Sequence, residues 1–258
     1  MTETRTAMDL MDPARISALF ATLGIAGDAA TVPPFAHHIY FWDAQPPAAL
    51  GRDGHPATGD FIPDMGLPRR MWAGGRLSFH APLATGRPAE RRSTVASAVR
   101  KTGRTGPLAF VTLRHEIVQD GTLCLVEEQD LVYREADAPA ATPERCEAVA
   151  PERHPTDTTL LFRYSALTFN GHRIHYDRDY ARAVEGYPDL VVHGPILAQL
   201  LALRAERTLG RLETFSFRAR APIFCGEQIE TCAEAEGDTL RLWVRGPDGR
   251  LAMQADAA

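Results

Sequence analysis

Residues 163–177, RYSALTFNGHRIHYD, crowd together side chains that move protons or form hydrogen bonds: Tyr164, Asn170, His172, Arg173, His175, Tyr176 and Asp177. Shortly after, His193-Gly194 opens the apolar stretch GPILAQLLALRAERTLG. An imidazole exchanges protons near neutral pH. A side-chain amide holds a water molecule. A glycine at a helix start leaves backbone N–H groups, and the positive end of the helix dipole, open to a ligand. That suits the carbonyl oxygen of a thioester, on which negative charge develops during enolisation. These residue types therefore predict addition or removal of water beside a polarised acyl carbonyl. Each also has a plainer reading. His175, His193 and Tyr164 are ordinary packed residues, Asn170 is the turn residue before Gly171, Gly194 is a helix cap, and Asp177 caps the helix of RDYARA.

The elements that must position these groups are legible in outline. Asp12, Pro13 and the spacing of Ile16, Leu19, Phe20 and Leu23 predict a helix that Gly24 ends. FAHHIYFW (35–42) reads as a strand, and 43–75, rich in Pro, Gly and Asp, as a long irregular segment. LSFHAPL, STVASAV, LAFVTLRHEIV and LCLVEEQDLVY read as strands, separated by RKTGRTGP and QDGT. A linker is expected within 135–157, and TLLFRYSALTF is expected as a strand. A short helix around DRDYARAVEGYPD follows. The stretch from Gly194 to Gly210 predicts a helix whose first two turns are apolar nearly all round, hence buried. FSFRARAPIF, QIETCAEAE, TLRLWVRG and RLAMQADA close the chain as strands.

Two short matches recur in the same order. APLATG (81–86) matches APIFCG (221–226), and DGTLCLVE (120–127) matches DGRLAMQA (248–255). In both copies a strand runs into A-P and a D-G turn precedes the last strand, which points to a duplicated antiparallel unit. The first copy has no long apolar helix to match 195–209.

FNGHRIHYD followed by VVHGPILAQLL resembles the MaoC-type, or hydratase-2, hot-dog family. The family's D-x-x-x-x-H spacing is kept as Asn170 and His175, and its H-G at the start of the central helix as His193-Gly194. GDFIP, MWAGGRLSFH and ERRSTV…KTGRTGPLAFVT extend the similarity to the double hot-dog subtype. That subtype includes mesaconyl-C4-CoA (3-methylfumaryl-CoA) hydratases, itaconyl-CoA hydratases and type-2 hydroxyacyl-thioester dehydratases. The resemblance implies an α+β double hot-dog. A degenerate N-terminal copy spans 1–138, a linker 139–157 and a catalytic copy 158–258. It implies reversible hydration of a 2-enoyl-CoA, with mesaconyl-C4-CoA or itaconyl-CoA giving citramalyl-CoA as the first expectation and a fatty-acid-type (R)-3-hydroxyacyl thioester as the next. His175 would be the proton-transfer residue, Asn170 the holder of water in place of the usual Asp, and Gly194 the carbonyl-polarising donor. Tyr164 and His193 would line the acyl pocket. A hot-dog thioesterase and a non-catalytic acyl-CoA binding or partner subunit are the rival readings.

Residues 87–106 carry Arg87, Arg91, Arg92, Arg100, Lys101 and Arg104 against one acid, Glu90. Solvated strand ends explain such a patch. A phosphate clamp for coenzyme A also would, if Arg91 or Arg92 met Lys101 or Arg104 across a hairpin. Elsewhere the arginine excess reads as composition: Lys101 is the single lysine among 28 basic residues. A net charge of −5 argues against nucleic-acid or membrane-surface partners. Cys124, Cys146, Cys225 and Cys232 show neither zinc spacing nor a disulfide framework. The expectation is a cytoplasmic enzyme with no metal and no cofactor beyond the coenzyme A of its substrate. It would act as a monomeric pseudo-dimer or a homodimer.

Overall fold

Both Asp-Gly pairs lie in turns, as their residue types require. A computed structural model describes residues 3–103, 106–135 and 142–258. Asp120 and Gly121 have positive φ (49° and 78°) and join β4 (Gly106–Gln119) to β5 (Thr122–Arg134) by a two-residue hairpin. Gly249, at φ 85°, sits in the wider turn between β9 (Thr239–Arg245) and β10 (Leu251–Ala257). The strands that run into the A-P marks are β2 (Arg69–Phe79) and β7 (Thr214–Ala219).

The duplication extends through the whole sheet. The remaining strands are β1 (Thr4–Asp9), β3 (Ala89–Gly103), β6 (Glu152–Pro155) and β8 (Gln228–Glu236). The ten-stranded order is β1-β3-β4-β5-β2-β7-β10-β9-β8-β6. Read outward from the β2–β7 seam, the two halves follow the same antiparallel order. Matching backbone bonds confirm the correspondence. Val32 N–H donates to Leu83 as Val192 does to Ile223, both at 2.8 Å, and Thr85 donates to Ala30 as Cys225 does to Leu190.

Helix α4 (Gly194–Leu209) lies inside this curved sheet, and every residue from Ile196 to Ala205 is buried. It packs on β7, β9 and β10. One apolar cluster joins Ile196, Leu197 and Leu201 of α4 to Phe215 and Phe217 of β7 and to Leu77 of β2. This is the double hot-dog arrangement. Where the first copy would start its own central helix it has Pro33-Pro34, then a single 3-10 turn at Ala36–Ile39. Gln199 of α4 donates to the Pro34 carbonyl at 2.9 Å, so the one central helix is fastened to the half that lacks one.

Several expected elements differ. TLLFRYSALTF is a helix, α2 (Thr158–Thr168), not a strand. Asp157 caps it by accepting from Leu160 N–H at 2.8 Å, as Asp12 accepts from Ala14 N–H at 2.9 Å to cap α1 (Pro13–Leu23). Leu161 and Tyr164, three apart, are buried while Phe162 is 68% exposed, a helical rather than an alternating pattern. FAHHIYFW is not a strand because the 3-10 turn is set between Phe35 and Phe41, both at positive φ. RKTG is no separator: it continues β3, paired to β4 through Gly103↔Gly106, with a bulge between Val95 and Ser97. The end of the expected linker is β6, paired with β8. The irregular segment is real but ends sooner, because β2 begins at Arg69.

Candidate active site

The site begins where α2 stops. Phe169 takes a left-handed conformation (φ 51°) at its C-cap, and Asn170 N–H returns to Ser165 O at 2.9 Å. The Asn170 side-chain oxygen accepts from His172 N–H at 2.9 Å, tightening the loop into the 3-10 turn Arg173–His175. Asp177 then caps α3 (Arg178–Ala183), accepting from Tyr180 N–H at 3.0 Å and from Arg173 at 2.7 Å. Both carboxylate oxygens of Asp177 are thus committed to holding the loop.

His175 is buried, and its Nδ1 lies 2.7 Å from the Val191 carbonyl. A carbonyl only accepts, so Nδ1 carries the proton and Nε2 keeps its lone pair. Burial lowers the His175 pKa to about 4, which leaves the ring neutral at physiological pH. The ring stacks on His193 at 3.6 Å and 17°. His193 is fully buried, with Nε2 2.9 Å from Ser165 Oγ and Nδ1 unpartnered. Burial, with His175 and His172 beside it, holds its pKa well below the ordinary value. Tyr164 packs against His193 from the α2 side at 5.1 Å. Gly194 is the first residue of α4, and a Cβ added there would meet nothing within 4 Å. Its backbone therefore faces open space at the positive end of a 16-residue helix.

The fold thus brings Tyr164, His175, His193 and Gly194 together, with Asn170 on the same loop. It does not assemble the expected basic clamp. Arg91, Arg92 and Lys101 lie on one continuous strand, so Arg91 and Lys101 stand about 33 Å apart, ten residues at about 3.3 Å each. Arg91 turns inward over Phe41, Arg92 pairs with Glu90 at 2.6 Å, and Lys101 covers the Phe110 ring. Arg104 lies outside the described residues.

The sequence reading missed the contribution of the first copy. Its irregular segment crosses to the loop that follows α2 and delivers Asp53 and His55. The two segments touch at Gly54 and Gly171, where a Cβ on Gly54 would meet the Gly171 carbonyl at 2.0 Å. Arg173 N–H donates to Asp53 O at 2.9 Å. His55 Nδ1 is 3.1 Å from Asp53 Oδ2, its ring is 4.2 Å from that of His172, and His172 is 5.3 Å from His175. Burial works to raise the Asp53 pKa, but its hydrogen bonds and charge contact with His55 outweigh this and keep it ionised. Burial, then His55 and His175, keep His172 neutral. The only signal in the sequence was R-D-G-H at 52–55, inside a stretch that otherwise reads as loop.

A second buried polar group belongs wholly to the first copy. Glu127 accepts from His37 and His38 through their Nε2 atoms at 2.9 and 3.0 Å. Asp53/His55/His172 and His37/His38/Glu127 each bring three potential ligand atoms within 4.8 Å of one another. In both, the carboxylate–imidazole spacings are those of hydrogen bonds.

A glycine at the head of α4, a neutral imidazole with one tautomer enforced and two copies of one β unit meet in this chain. The model of hydroxyacyl-thioester dehydratase type 2 matches residues 35–225. The chain belongs to the hydroxyacyl-thioester dehydratase type 2 family. It is 47% identical over 232 residues to a mesaconyl-C(4)-CoA hydratase of Chloroflexus aurantiacus, covering 87% of this chain and 82% of that protein. Among solved structures, HtdX of Mycobacterium tuberculosis superposes with a TM-score of 0.72 at 18% identity, over 99% of each chain. A double hot-dog protein of the same organism superposes with a TM-score of 0.59 at 16% identity, over 99% of this chain and 94% of its own. At these identities the two structures speak for the fold alone. Among the described residues, no helix is long and apolar enough to cross a membrane.

Proposed function

We propose that this protein hydrates mesaconyl-C4-CoA reversibly to citramalyl-CoA, with His175 as the single proton-transfer residue. The observation that carries the substrate is the 47% identity to a mesaconyl-C(4)-CoA hydratase across 82% of its length. The site geometry supports the chemistry. His175 Nε2, free of hydrogen because Nδ1 donates to Val191, takes a proton from water. The water oxygen bonds to the β-carbon as the double-bond pair shifts through the α-carbon to the thioester oxygen. The Gly194 N–H, at the positive end of α4, stabilises that developing oxyanion. The proton on Nε2 then passes to the α-carbon, which restores neutral His175. The Asn170 side-chain NH2, whose carbonyl oxygen is held by His172 N–H, steers the water. His193 and Tyr164 back the imidazole. Such a reaction requires no cofactor, since coenzyme A is part of the substrate.

A second reading is favoured by the family match itself: dehydration of a 3-hydroxyacyl thioester of fatty-acid type. A thioesterase is disfavoured, because Asp177 is committed to its cap and to Arg173, and Asp53 to His55. A cytoplasmic location belongs to this proposal, in keeping with four free cysteines. So does action as a monomeric pseudo-dimer or a homodimer.

The test is to incubate the protein with mesaconyl-C4-CoA, itaconyl-CoA and crotonyl-CoA, following enoyl-thioester absorbance and free thiol together. Loss of the enoyl signal fastest with mesaconyl-C4-CoA, without thiol release, is the expected result. Thiol release would move the assignment to a thioesterase. A preference for crotonyl-CoA would favour the fatty-acid reading, and no turnover of any thioester would favour a binding subunit.

A further inference from the structure

The reading of mesaconyl-C4-CoA as substrate, on which this inference rests, sets a demand that the groups named so far do not meet. A 3-methylfumaryl thioester carries a carboxylate on its β-carbon, the carbon that receives the hydroxyl. An anion must therefore lie next to the atom that His175 serves. A carboxylate taken from water needs charge-assisted donors, whereas a fatty enoyl thioester would place an alkyl chain there and need an apolar wall.

The wall beyond His175 is not apolar. His172 stands 5.3 Å from His175, and no hydrogen bond engages its ring among the described residues. Behind it, His55 is held by Asp53. The start of β2 adds the cation. Its neighbouring arginines are occupied: Arg69 donates to Glu185, and Arg173 to Asp177. Arg70 makes no ion pair among the described residues. Its charge is felt by His55 and His172, where it adds to the lowering that burial causes, and by Tyr133, where it works against the rise that burial causes. Tyr133 faces Arg70 across the β2–β5 pair, and its buried hydroxyl has no hydrogen-bond partner. This corner thus holds a cation with no counter-anion, an imidazole with no hydrogen bond to its ring and a buried hydroxyl. The seam strand β7 pairs with β2 only from Gly74 onward, so the β2 start that carries Arg70 lies beyond that pairing.

We propose that Arg70 and His172, backed by Tyr133 and by the Asp53–His55 pair, form the subsite for the carboxylate on the substrate's β-carbon. Arg70 supplies the charge, and His172 presents a ring N–H between the guanidinium and the water site. The first hot-dog copy, which has no catalytic histidine of its own, then acts as the specificity element of the second. Selection of a dicarboxylic acyl thioester resides in this corner, while Gly194 and His175 treat any enoyl thioester alike.

The experiment compares wild type with Arg70→Met and Arg70→Lys. Losing one charge-assisted contact predicts that Arg70→Met raises KM for mesaconyl-C4-CoA about ten- to hundredfold. The dissociation constant for butyryl-CoA, which lacks the carboxylate, should not move, and Arg70→Lys should recover part of the loss. Equal weakening of both ligands, or an unchanged KM, overturns the assignment. Should the variants not fold, wild type decides through unreactive saturated analogues. The methylsuccinyl thioester should bind about tenfold or more tighter than its neutral methyl ester, and equal binding overturns the subsite. If wild type fails to hydrate mesaconyl-C4-CoA at all, the substrate reading falls first. If it hydrates that substrate and Arg70→Met is indistinguishable from it, only the subsite falls.

Discussion

The two hot-dog copies share a frame and differ at its working end. Val32 and Val192 make the same backbone bond, yet the residues that follow are Pro33-Pro34 in one copy and His193-Gly194 in the other. A proline at the Gly194 position has no N–H to offer a carbonyl oxygen. The connection from the capped helix also differs. Residues 24–30 separate α1 from the bridge at Thr31, while residues 169–190, His175 among them, separate α2 from the bridge at Val191. A cleft of about 350 Å³ lies between Val32, Pro33, Pro34 and Leu83 of the first copy and Glu206 and Leu212 of the second, but it lacks the glycine N–H and the stacked imidazoles. A conserved frame therefore does not conserve a site. The site needs the inserted loop and a glycine at the helix start, and the copy that lost both lends Asp53 and His55 to the one that kept them.

The difference can be broken from either side. His175→Ala should lower kcat about a hundredfold or more, read as loss of enoyl absorbance. A variant turning over near the wild-type rate would remove His175 from the chemistry. Gly194→Pro imports the residue of the first copy and deletes one N–H while Pro195 continues the helix. It should lower kcat about a hundredfold with the circular dichroism spectrum preserved. Pro34→Gly in the first copy should leave the rate unmoved, and any change there would show that the copies share the work.

The pH response separates site from frame. His175 must be neutral to act, so kcat/KM should hold through neutral pH and decline as pH falls through about 4. Stability should respond earlier. His37, His115 and His175 are each lowered from 6.5 to about 4 by burial. Between those values the unfolded chain binds more protons than the folded one, so acidification favours unfolding. The melting temperature should drop as pH is taken from 6.5 towards 4, and a flat profile would contradict the burial of these rings. The smallest effects concern the twin caps. Asp12→Ala and Asp157→Ala should each cost about 1 kcal/mol in urea denaturation. Only Asp157→Ala should also slow turnover, because α2 carries Ser165, the partner of His193.

Much of this contrast was legible in the chain. The D-x-x-x-x-H spacing, kept as Asn170 and His175, and the H-G helix start lie on one local stretch. The buried α4 announces itself by apolar residues all round, and the A-P and D-G marks reveal the two halves of the sheet because turn chemistry is local. The α2 helix was misread because Leu, Phe, Tyr and Thr also suit strands. Its Asp cap, matched by Asp12 at the start of α1, was the signal that decides it. The basic patch misled because like residues close in sequence fell along one long strand instead of across a hairpin.

The sequence by itself determined the duplicated β frame, the buried central helix and the His175–Gly194 pair, since each depends on local pattern or short spacing. Only the tertiary structure decided what surrounds that pair. The tautomer of His175 depends on a carbonyl sixteen residues away. The Asp53–His55 pair reaches His172 from more than a hundred residues upstream, through a segment with no periodicity to read. Such properties come from where the chain folds back on itself, and residue types alone do not carry that information.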